Sequence, residues 1–282
     1  MASSVSNDNG RALEFAVTRQ LDLGGATLTA TAQHHQAEYK KYFDIMVPKL
    51  KSEFIVASER IVKWVDTTVS TVGSTVDKSL DSDPGVADVL VTAGSKTLNL
   101  SLKHNHDALK HQRPHALAQQ CGFPLRSTED IQHRTRMKSI EDIFRQKTRG
   151  LVKYTDNDPA KFKMLEDVSK SCGDSINAWA KNNPSTVRYL FGFLVTKDCY
   201  QVIVNTKKSL SVEVHDYNSL NMPSSVSTST NGIYLYMVFD NGFELKARLH
   251  TASSTISKAG KQLSLKFDTR KHMGRVPSSR LS

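Results

Sequence analysis

A strict alternation of apolar and polar residues near position 100 constrains the fold of this chain more than any other feature. Leu98, Leu100 and Leu102 alternate with polar residues, and a period of two places the leucines on one face of a β-strand. An apolar run at 86–91 precedes this strand, and the residues at 93–95 between them have turn chemistry. The pattern predicts a β-hairpin.

The turn of this hairpin sets which side chains of its two strands face each other. If the turn is centred near Gly94-Ser95, Asp88 on the first strand lies opposite Ser101 on the second. Lys103 projects from the same face as Ser101, because it follows two residues later. We therefore expect Asp88, Ser101 and Lys103 to converge.

An aspartate and a lysine on neighbouring strands have the chemistry that phosphodiester hydrolysis requires. That reaction needs a divalent cation, an activated water and a positive group that offsets the charge developing at phosphorus. Asp88 is a hard oxygen ligand for Mg²⁺, and Lys103 can orient the water and meet that charge. The arrangement is a reduced version of the aspartate and (Asp/Glu)-x-Lys pattern of a large nuclease superfamily. The alternative is an ordinary lysine at a sheet edge with a solvated partner.

Helical patterns precede and follow the hairpin. The predicted segments are a helix over 11–23 that Asp8 or Asn9 caps and Gly24-Gly25 ends, helix over 35–70 with a break at Pro48, a loop over 70–85, a basic and mostly helical part over 105–149 with a helix start at SIEDIFRQ (139–146), and a helix over 158–182 bent or interrupted near Gly173. In the last of these we expect five side chains to face inward, namely Phe162, Leu165, Val168, Ile176 and Trp179.

The last hundred residues carry strand patterns instead. The predicted elements are strands at 187–195 and 199–204 flanking a Lys197-Asp198 turn, a strand at 209–214, a Ser/Thr-rich loop at 224–230, strands at 233–239 and 243–249 flanking Asp240-Asn241-Gly242, and a strand at 263–267. A helix-rich first part and a strand-rich second part predict an α/β (α+β) fold.

The charge balance favours a polyanionic partner. The chain has 38 Lys and Arg against 28 Asp and Glu, a formal charge of +10, which points to nucleic acid first and to an anionic membrane second. No window approaches the ~18 to 20 apolar residues that span a bilayer, and the opening MASSVSNDNG lacks a signal-peptide pattern. Three widely spaced cysteines predict neither a disulfide framework nor a cysteine zinc site. We expect a soluble protein of the reducing cytoplasm.

A cluster of histidines follows the second hairpin strand. His104, His106, His111 and His115 raise the alternatives of a structural zinc site and of a finger-like His-Asn-His nuclease. Cys121 is the only nearby thiol, which argues against zinc. We expect instead a helix or loop that touches DNA through Asn105, His106, Lys110, His111 and Arg113, against the alternative of a solvated basic face.

The segment SLKHNHDALKHQRP at 101–114 closely resembles the HaeIII family of type II restriction endonucleases, in which a strand ending in SLKHNH runs into a basic helix. Three further segments resemble the same family: NGRALEF at 9–15, VRYLFGF at 187–193, and RLHTASS followed by LSLKFD within 248–268. The resemblance covers nearly the full chain. KHNH is its specific part.

The resemblance implies a PD-(D/E)XK fold, with a mixed central sheet flanked by helices in a catalytic core over 1–186. A β-rich part over 187–282 would complete this core and contact DNA, unless the whole chain is one continuous domain. The family requires Mg²⁺ and cuts double-stranded DNA at a short palindrome, GGCC in its name member. Asp88 would be the metal-binding aspartate and Lys103 the catalytic lysine.

The second residue of the usual motif departs from the pattern. Ser101 stands where the wider superfamily has Asp or Glu, and serine supplies no negative charge. The resemblance makes Glu14 in the first helix the candidate for the second metal ligand, because that superfamily often draws a ligand from there. Asp83 and Asp107 are the alternative candidates for this ligand.

The strand at 243–250 is the candidate for reading the DNA sequence. Its polar face carries Glu244, Lys246, Arg248 and His250. An arginine can bond two acceptors of guanine, a contact worth ~1 to 3 kcal/mol of discrimination, so Arg248 is the expected reader with Lys246 and His250 beside it. The alternative is a solvent-facing sheet surface with self-neutralising charges. The C-terminal basic residues either contact phosphates or belong to a disordered tail, and they are Lys266, Arg270, Lys271, Arg275 and Arg280.

A palindromic site cut on both strands implies two active sites about a two-fold axis, and therefore a homodimer. A monomer that nicks the strands in succession is the alternative. The resemblance also implies a cognate DNA methyltransferase that protects host DNA and need not bind this chain. Two other functions stay open: a basic nucleic-acid-binding protein without catalysis, and a histidine-based metal protein.

Overall fold

The fold combines seven α-helices and eleven β-strands in the described part of the chain. A computed structural model describes residues 2–78, 88–195, 199–258 and 260–282, with side chains from residue 7 onward. The helices are α1 (Ala2–Leu23), α2 (Ala30–Asp44), α3 (Pro48–Thr68), α4 (Leu117–Gln120), α5 (Thr128–Lys147), α6 (Asp158–Asn182) and α7 (Ser185–Val195). The strands are β1 (Thr27–Leu28), β2 (Thr75–Asp77), β3 (Val89–Ala93), β4 (Lys96–His104), β5 (Tyr200–Asn205), β6 (Ser211–Asp216), β7 (Val226–Asn231), β8 (Tyr234–Phe239), β9 (Glu244–Thr251), β10 (Leu265–Met273) and β11 (Ser278–Leu281).

Internal contacts divide the chain into two compact units, each assembled from separate segments. Unit 1 comprises residues 1–107, 198–220 and 276–282, and unit 2 comprises 108–197 and 221–275. Both units take segments from either side of position 186, so a division into 1–186 and 187–282 stays a prediction. No helix in the described ranges is long and apolar enough to cross a bilayer.

Unit 1 is built on a seven-stranded mixed sheet. Its strand order is β1-β2-β3-β4-β5-β6-β11, with β1–β2 and β4–β5 parallel and the other pairs antiparallel. Helices α1 and α3 bury apolar side chains in one core with the sheet, among them Leu13, Val17 and Ile61 against Leu100 and Val202. The predicted mixed sheet flanked by helices is confirmed, and it is compatible with a restriction-endonuclease-like fold.

The central hairpin of unit 1 has the predicted register. β3 and β4 pair antiparallel from Val89 opposite Leu100 to Ala93 opposite Lys96, which leaves Gly94-Ser95 as a two-residue turn. Gly94 has φ 60°, a conformation that two-residue hairpin turns require and that glycine adopts without steric cost.

Unit 2 is built on a four-stranded antiparallel sheet of order β10-β9-β8-β7. Its inner face is fully buried at Leu235, Leu245, Leu249 and Phe267, and α6 packs against β7 and β8. The predicted hairpin around Asp240-Asn241-Gly242 is confirmed as β8 and β9. The antiparallel, β-rich character of the C-terminal part is therefore confirmed.

Several predicted helix boundaries are wrong. α1 begins at Ala2, so Asp8 and Asn9 lie inside it rather than capping it. The segment SIEDIFRQ does not start a helix, because α5 already begins after Ser127, whose side chain accepts a hydrogen bond from Asp130 N. α6 runs without interruption through Gly173. Phe162 on this helix is 47% exposed and does not face inward, whereas the other four predicted positions are buried.

Two strand and loop assignments are also wrong. Residues 187–195 form helix α7, which buries Val187, Leu190, Phe191 and Leu194 at helical spacing. The Ser/Thr-rich segment at 224–230 contributes edge strand β7, which β8 supports through antiparallel pairing. Strands β1 and β2 were not predicted, and the turn at Lys197-Asp198 lies outside the described residues.

The C-terminal basic segment is ordered strand rather than a disordered tail. β10 extends to Met273, and β11 pairs antiparallel with β6 from Ser278 opposite His215 to Leu281 opposite Val212.

Candidate active site and nucleic-acid interface

The hairpin brings Asp88, Ser101 and Lys103 together beside the first residue of β3. Asp88 N donates to Leu100 O (2.7 Å), which continues the ladder by one residue. The Oδ2 atom of Asp88 accepts from Leu102 N (2.6 Å) and from the Ser101 hydroxyl (3.5 Å). Lys103 Nζ lies 3.6 Å from the same oxygen. The three side chains therefore share one face of the sheet, as the register predicts.

The Asp88–Lys103 pair is largely shielded from solvent. The side chain of Lys103 is 17% exposed and that of Asp88 is 27% exposed, and Ser101 is buried. Charges in such a setting interact more strongly than charges in water. The backbone N–H of Leu102 and the ammonium of Lys103 together fix the orientation of the carboxylate.

Glu14 from α1 faces the same group of charges. Its carboxylate forms an ion pair with Lys78, which follows β2 and whose Nζ lies 4.0 Å from the ring centroid of Tyr39. Burial and the negative charge of Asp88 raise the pKa of Glu14 to about 7, although Lys78 and Lys103 oppose that shift. Glu14, Asp88 and Lys103 therefore lie within electrostatic reach of one another.

One oxygen of each carboxylate is left open. Asp88 makes its contacts through Oδ2, and Glu14 makes its ion pair through Oε2. Asp88 Oδ1 and Glu14 Oε1 have no hydrogen-bond partner among the described residues. Two partly open carboxylates are the ligand set that Mg²⁺ commonly takes from a protein, with water and substrate oxygens in its other positions.

The structure gives little support for Asp83 or Asp107 as the second metal ligand. Asp83 lies outside the described residues. Asp107 lies near Tyr217, and burial of that phenol together with the charge of Asp107 raises the pKa of Tyr217. Within the described ranges, no group of three or more His, Cys, Asp and Glu side chains has the geometry to hold a metal ion.

The residues directly after Lys103 are tied into the fold. Asn105 adopts φ 60°, and its Oδ1 accepts from Thr206 N (2.8 Å) while its amide nitrogen lies 2.8 Å from His104 Nε2. Burial lowers the pKa of His104 to about 4, with a further contribution from His106. Asn105 thus joins the ends of two neighbouring strands, and a contact of Asn105 or His106 with DNA stays a prediction.

The basic segment at 109–113 in unit 2 is not a helix, which corrects the expectation from the resemblance. It runs in extended form beside β10: Leu109 N donates to Thr269 O (2.9 Å), and Phe267 N donates to Gln112 O (2.9 Å). Lys110 Nζ lies 4.5 Å from the ring centroid of Phe193. Arg113 Nη1 donates to Leu265 O (3.4 Å).

The outward face of the second sheet is basic and aromatic. Lys246 and Arg248 of β9 project from it, and Tyr234 and Tyr236 lie opposite them on β8. Lys246 Nζ lies 4.3 Å from the ring centroid of Tyr234 and 5.3 Å from that of Tyr236. The sequence alone did not single out the two tyrosines, although their alternation with buried Leu235 and Met237 marks them as outward facing.

Strand β10 adds further charged groups to this face. Arg270 lies opposite Lys246 and Asp268 opposite Arg248. Asp268 Oδ1 lies 2.9 Å from His111 Nδ1, and Oδ2 lies 2.9 Å from His250 Nε2. Although burial alone would raise the pKa of Asp268, the close contacts with His111 and His250 hold that pKa well below its usual range. The face therefore carries an ionised aspartate among several cations.

The chain is similar over nearly its full length to a type II restriction enzyme. It is 23% identical over 314 aligned positions to the protein named type II restriction enzyme HaeIII from Haemophilus aegyptius, and the alignment covers 94% of each chain. No family model matches the chain, and no solved structure matches it significantly. The distant similarity supports a restriction-endonuclease-like protein.

Proposed function

We propose that the protein is a Mg²⁺-dependent endonuclease that hydrolyses double-stranded DNA at a short palindrome and leaves 5′-phosphate and 3′-hydroxyl ends. The observation that carries this proposal is the placement of the Lys103 ammonium 3.6 Å from the Asp88 carboxylate, with Glu14 within electrostatic reach of both. The similarity to a type II restriction enzyme supports the same reaction. GGCC, the site of the name member of the HaeIII family, is the first sequence to test.

Asp88 and Glu14 are the residues that would hold Mg²⁺, through the oxygens that the described residues leave open. Bound Mg²⁺ lowers the pKa of a coordinated water and neutralises charge on the phosphate. Ser101 contributes a hydroxyl that donates to Asp88, so it orients the aspartate where other members of the superfamily have a second carboxylate.

Lys103 acts on the reacting atoms. Its ammonium donates hydrogen bonds to the attacking water and to a non-bridging phosphate oxygen, which bears more negative charge in the transition state than in the substrate. Leu102 N–H holds Asp88 in place, and Lys78 fixes Glu14 through its ion pair. These contacts preorganise the site before DNA binds.

Sequence recognition is proposed for the outward face of the unit 2 sheet. Arg248 donates to guanine, and Lys246 and His250 lie beside it. The other proposed DNA contacts are Lys110, His111 and Arg113 of unit 2 and Asn105 and His106 of unit 1. Phosphate contacts are proposed for the basic residues of the C-terminal segment, Lys266, Arg270, Lys271, Arg275 and Arg280.

A homodimer is proposed as the active form, because cleavage of both strands of a palindrome needs two active sites about a two-fold axis. A monomer would instead release a nicked intermediate before the second cut. A cognate DNA methyltransferase would protect host DNA and need not bind this chain, and both would work in the cytoplasm.

Incubation of the protein with plasmid DNA and Mg²⁺ tests the proposal. Discrete fragments whose sequenced ends share one short palindrome are expected, and Asp88→Asn should remove them while the matched Asp22→Asn on α1 keeps them. The basic face of unit 2 also suits a second function, binding of nucleic acid without catalysis. Retarded but intact DNA, with Mg²⁺ present, would favour that second function and overturn the first.

A further inference from the structure

Asp268 and Arg248 lie directly opposite each other on neighbouring strands of the unit 2 sheet. Side chains in this relation have Cβ atoms ~4.5 to 5.5 Å apart, and opposite charges there stabilise the sheet when they pair. Arg248 is exposed on the outward face, and Asp268 projects from the same face. A cross-strand ion pair between them is the expected arrangement.

The Asp268 carboxylate is turned to two histidines instead. Its Oδ1 faces His111 Nδ1 and its Oδ2 faces His250 Nε2, each at 2.9 Å. Lys266 Nζ lies 3.8 Å from Oδ1. Both carboxylate oxygens are therefore engaged by groups other than Arg248.

The two histidines are themselves anchored to the backbone. His250 Nδ1 lies 2.9 Å from Thr251 O, and His111 Nδ1 lies 3.3 Å from Phe267 O. The pairing of residues 109–112 with β10 fixes the backbone of His111. Asp268 thus faces one backbone-anchored histidine at each of its two carboxylate oxygens.

Arg248 has no ion-pair partner in the part of the chain that the structure describes. Asp268, the acidic residue opposite Arg248, contacts the two histidines instead. Glu244 lies four residues before Arg248 on the same strand. A guanidinium that is exposed and unpaired keeps all of its donors for a ligand with paired acceptors, such as the N7 and O6 atoms of guanine.

We propose that His111 and His250 are positioning residues, which hold Asp268 so that Arg248 stays available to acceptors of bound DNA. This inference rests on the proposed function. It assigns the histidines an action through Asp268, where the simpler expectation is direct contact with DNA. Without the His111 and His250 side chains, Asp268 pairs with Arg248 and covers its guanidinium.

Four proteins test the inference: wild type, His111→Ala/His250→Ala, Asp268→Asn, and the triple variant that combines all three changes. Affinity for a fluorescent duplex is measured in Ca²⁺, which supports binding without cleavage. We expect the double variant to lose affinity about tenfold, on the order of the loss of one arginine–guanine contact. The triple variant should recover to within about threefold of Asp268→Asn, because no carboxylate remains to capture Arg248.

Comparison with Asp268→Asn removes the general effect of deleting one negative charge. The gain in DNA affinity that Asp268→Asn produces must be larger in the double variant than in the wild-type protein. A triple variant that binds as weakly as the double variant, or a double variant that binds like wild type, overturns the inference. The matched histidine control is His34→Ala, an exposed position on α2 of unit 1.

A second readout needs no DNA. Phenylglyoxal modifies exposed, unpaired arginines, and mass spectrometry of the Arg248 peptide gives the rate. We expect slower modification in the double variant and recovery in the triple variant; equal rates in all four proteins contradict the inference. If the double variant does not fold by circular dichroism, His250→Gln with and without Asp268→Asn replaces it in both assays. Wild-type protein that fails to bind DNA refutes the proposed function alone, since the modification rates still decide the inference.

Discussion

Burial and a neighbouring negative charge make Glu14 an unusual carboxyl group. Its pKa is raised to about 7 by desolvation first and by Asp88 second. A carboxyl with a raised pKa binds its proton more tightly in the folded protein than in the unfolded chain. Between the ordinary carboxyl pKa of about 4.3 and 7, the folded state therefore holds more protons, and its stability falls as pH rises.

Replacement of Glu14 by Gln should remove this dependence. We expect Glu14→Gln to be more stable than wild type at pH 8 without divalent cations, because the neutral amide avoids the cost of a buried charge. The advantage should shrink as pH falls through 7 towards 4.5. Urea denaturation at a series of pH values measures the free energy of unfolding of both proteins.

The exposed Glu59→Gln on α3 is the matched control, and it should follow wild type at every pH. Equal stability of Glu14→Gln and wild type at pH 8 would contradict the assigned burial of Glu14. Added Mg²⁺ should stabilise wild type more than Glu14→Gln, because binding to the folded state alone shifts the unfolding equilibrium.

At this scale the sequence predicted some contacts of the site and missed others. The approach of Asp88 to Lys103 follows from period-two geometry and a two-residue turn, both of which are local. The contacts of Lys78 with Glu14 and Tyr39 join segments far apart in sequence, and no local pattern specifies them. The same is true of Asp268 and its histidines.

Among the secondary-structure elements, the β3–β4 hairpin matters most for the site because its register places Asp88 beside Lys103. Gly94 adopts φ 60°, and a Cβ added there meets nothing within 4 Å. Any cost of a larger residue is therefore backbone strain alone, on the order of 1–2 kcal/mol for an L-residue in the left-handed region.

Gly94→Ala should lower the free energy of unfolding by about 1 kcal/mol, whereas Gly94→Asn should lower it less because Asn tolerates this conformation. Urea denaturation of the three proteins measures the difference. Hydrogen exchange at Val91 N–H should speed up in Gly94→Ala. Equal losses for Ala and Asn would show that the turn does not require the left-handed conformation.

The element errors share a physical cause. The run at 187–195 is apolar enough for a strand, yet its buried residues repeat at helical spacing, and α7 forms because packing selects that period. β7 carries mostly Ser and Thr and has little hydrophobic signal of its own, so its pairing with β8 decides its conformation. The segment at 109–113 likewise takes its form from β10. Where a partner strand supplies the backbone hydrogen bonds, the pairing decides the conformation and the local propensity of the segment does not.

For the whole molecule, sequence patterns predicted the fold class but not the assembly of the two units from separate segments. β11 at the C-terminus pairs with β6 in unit 1, while residues 221–275 belong to unit 2. Which unit each chain segment joins depends on contacts between residues far apart in sequence. The formal charge of +10, in contrast, is a property of composition and predicts behaviour of the molecule as a whole.

DNA binding should weaken strongly as salt rises, because each cation that neutralises a phosphate releases condensed counterions. Replacing Lys266, one of the proposed phosphate contacts, by Ala should reduce the slope of log K against log salt by about 1. Lys261→Ala, an exposed lysine outside the strands, should leave the slope unchanged. Fluorescence anisotropy at several salt concentrations measures both, and equal slopes for the two variants would place the DNA elsewhere.

The proposed reaction depends above all on Lys103, which acts at the reacting phosphate. Single-turnover cleavage of a labelled duplex by excess protein in Mg²⁺ tests it most directly, with Lys96→Ala at the other end of β4 as the matched control. We expect Lys103→Ala to lower the cleavage rate by at least about a hundredfold, the usual effect of losing one donor to a developing charge. DNA binding by Lys103→Ala in Ca²⁺ and the cleavage rate of Lys96→Ala should both stay close to wild type. Cleavage by Lys103→Ala at the wild-type rate would contradict this role of Lys103.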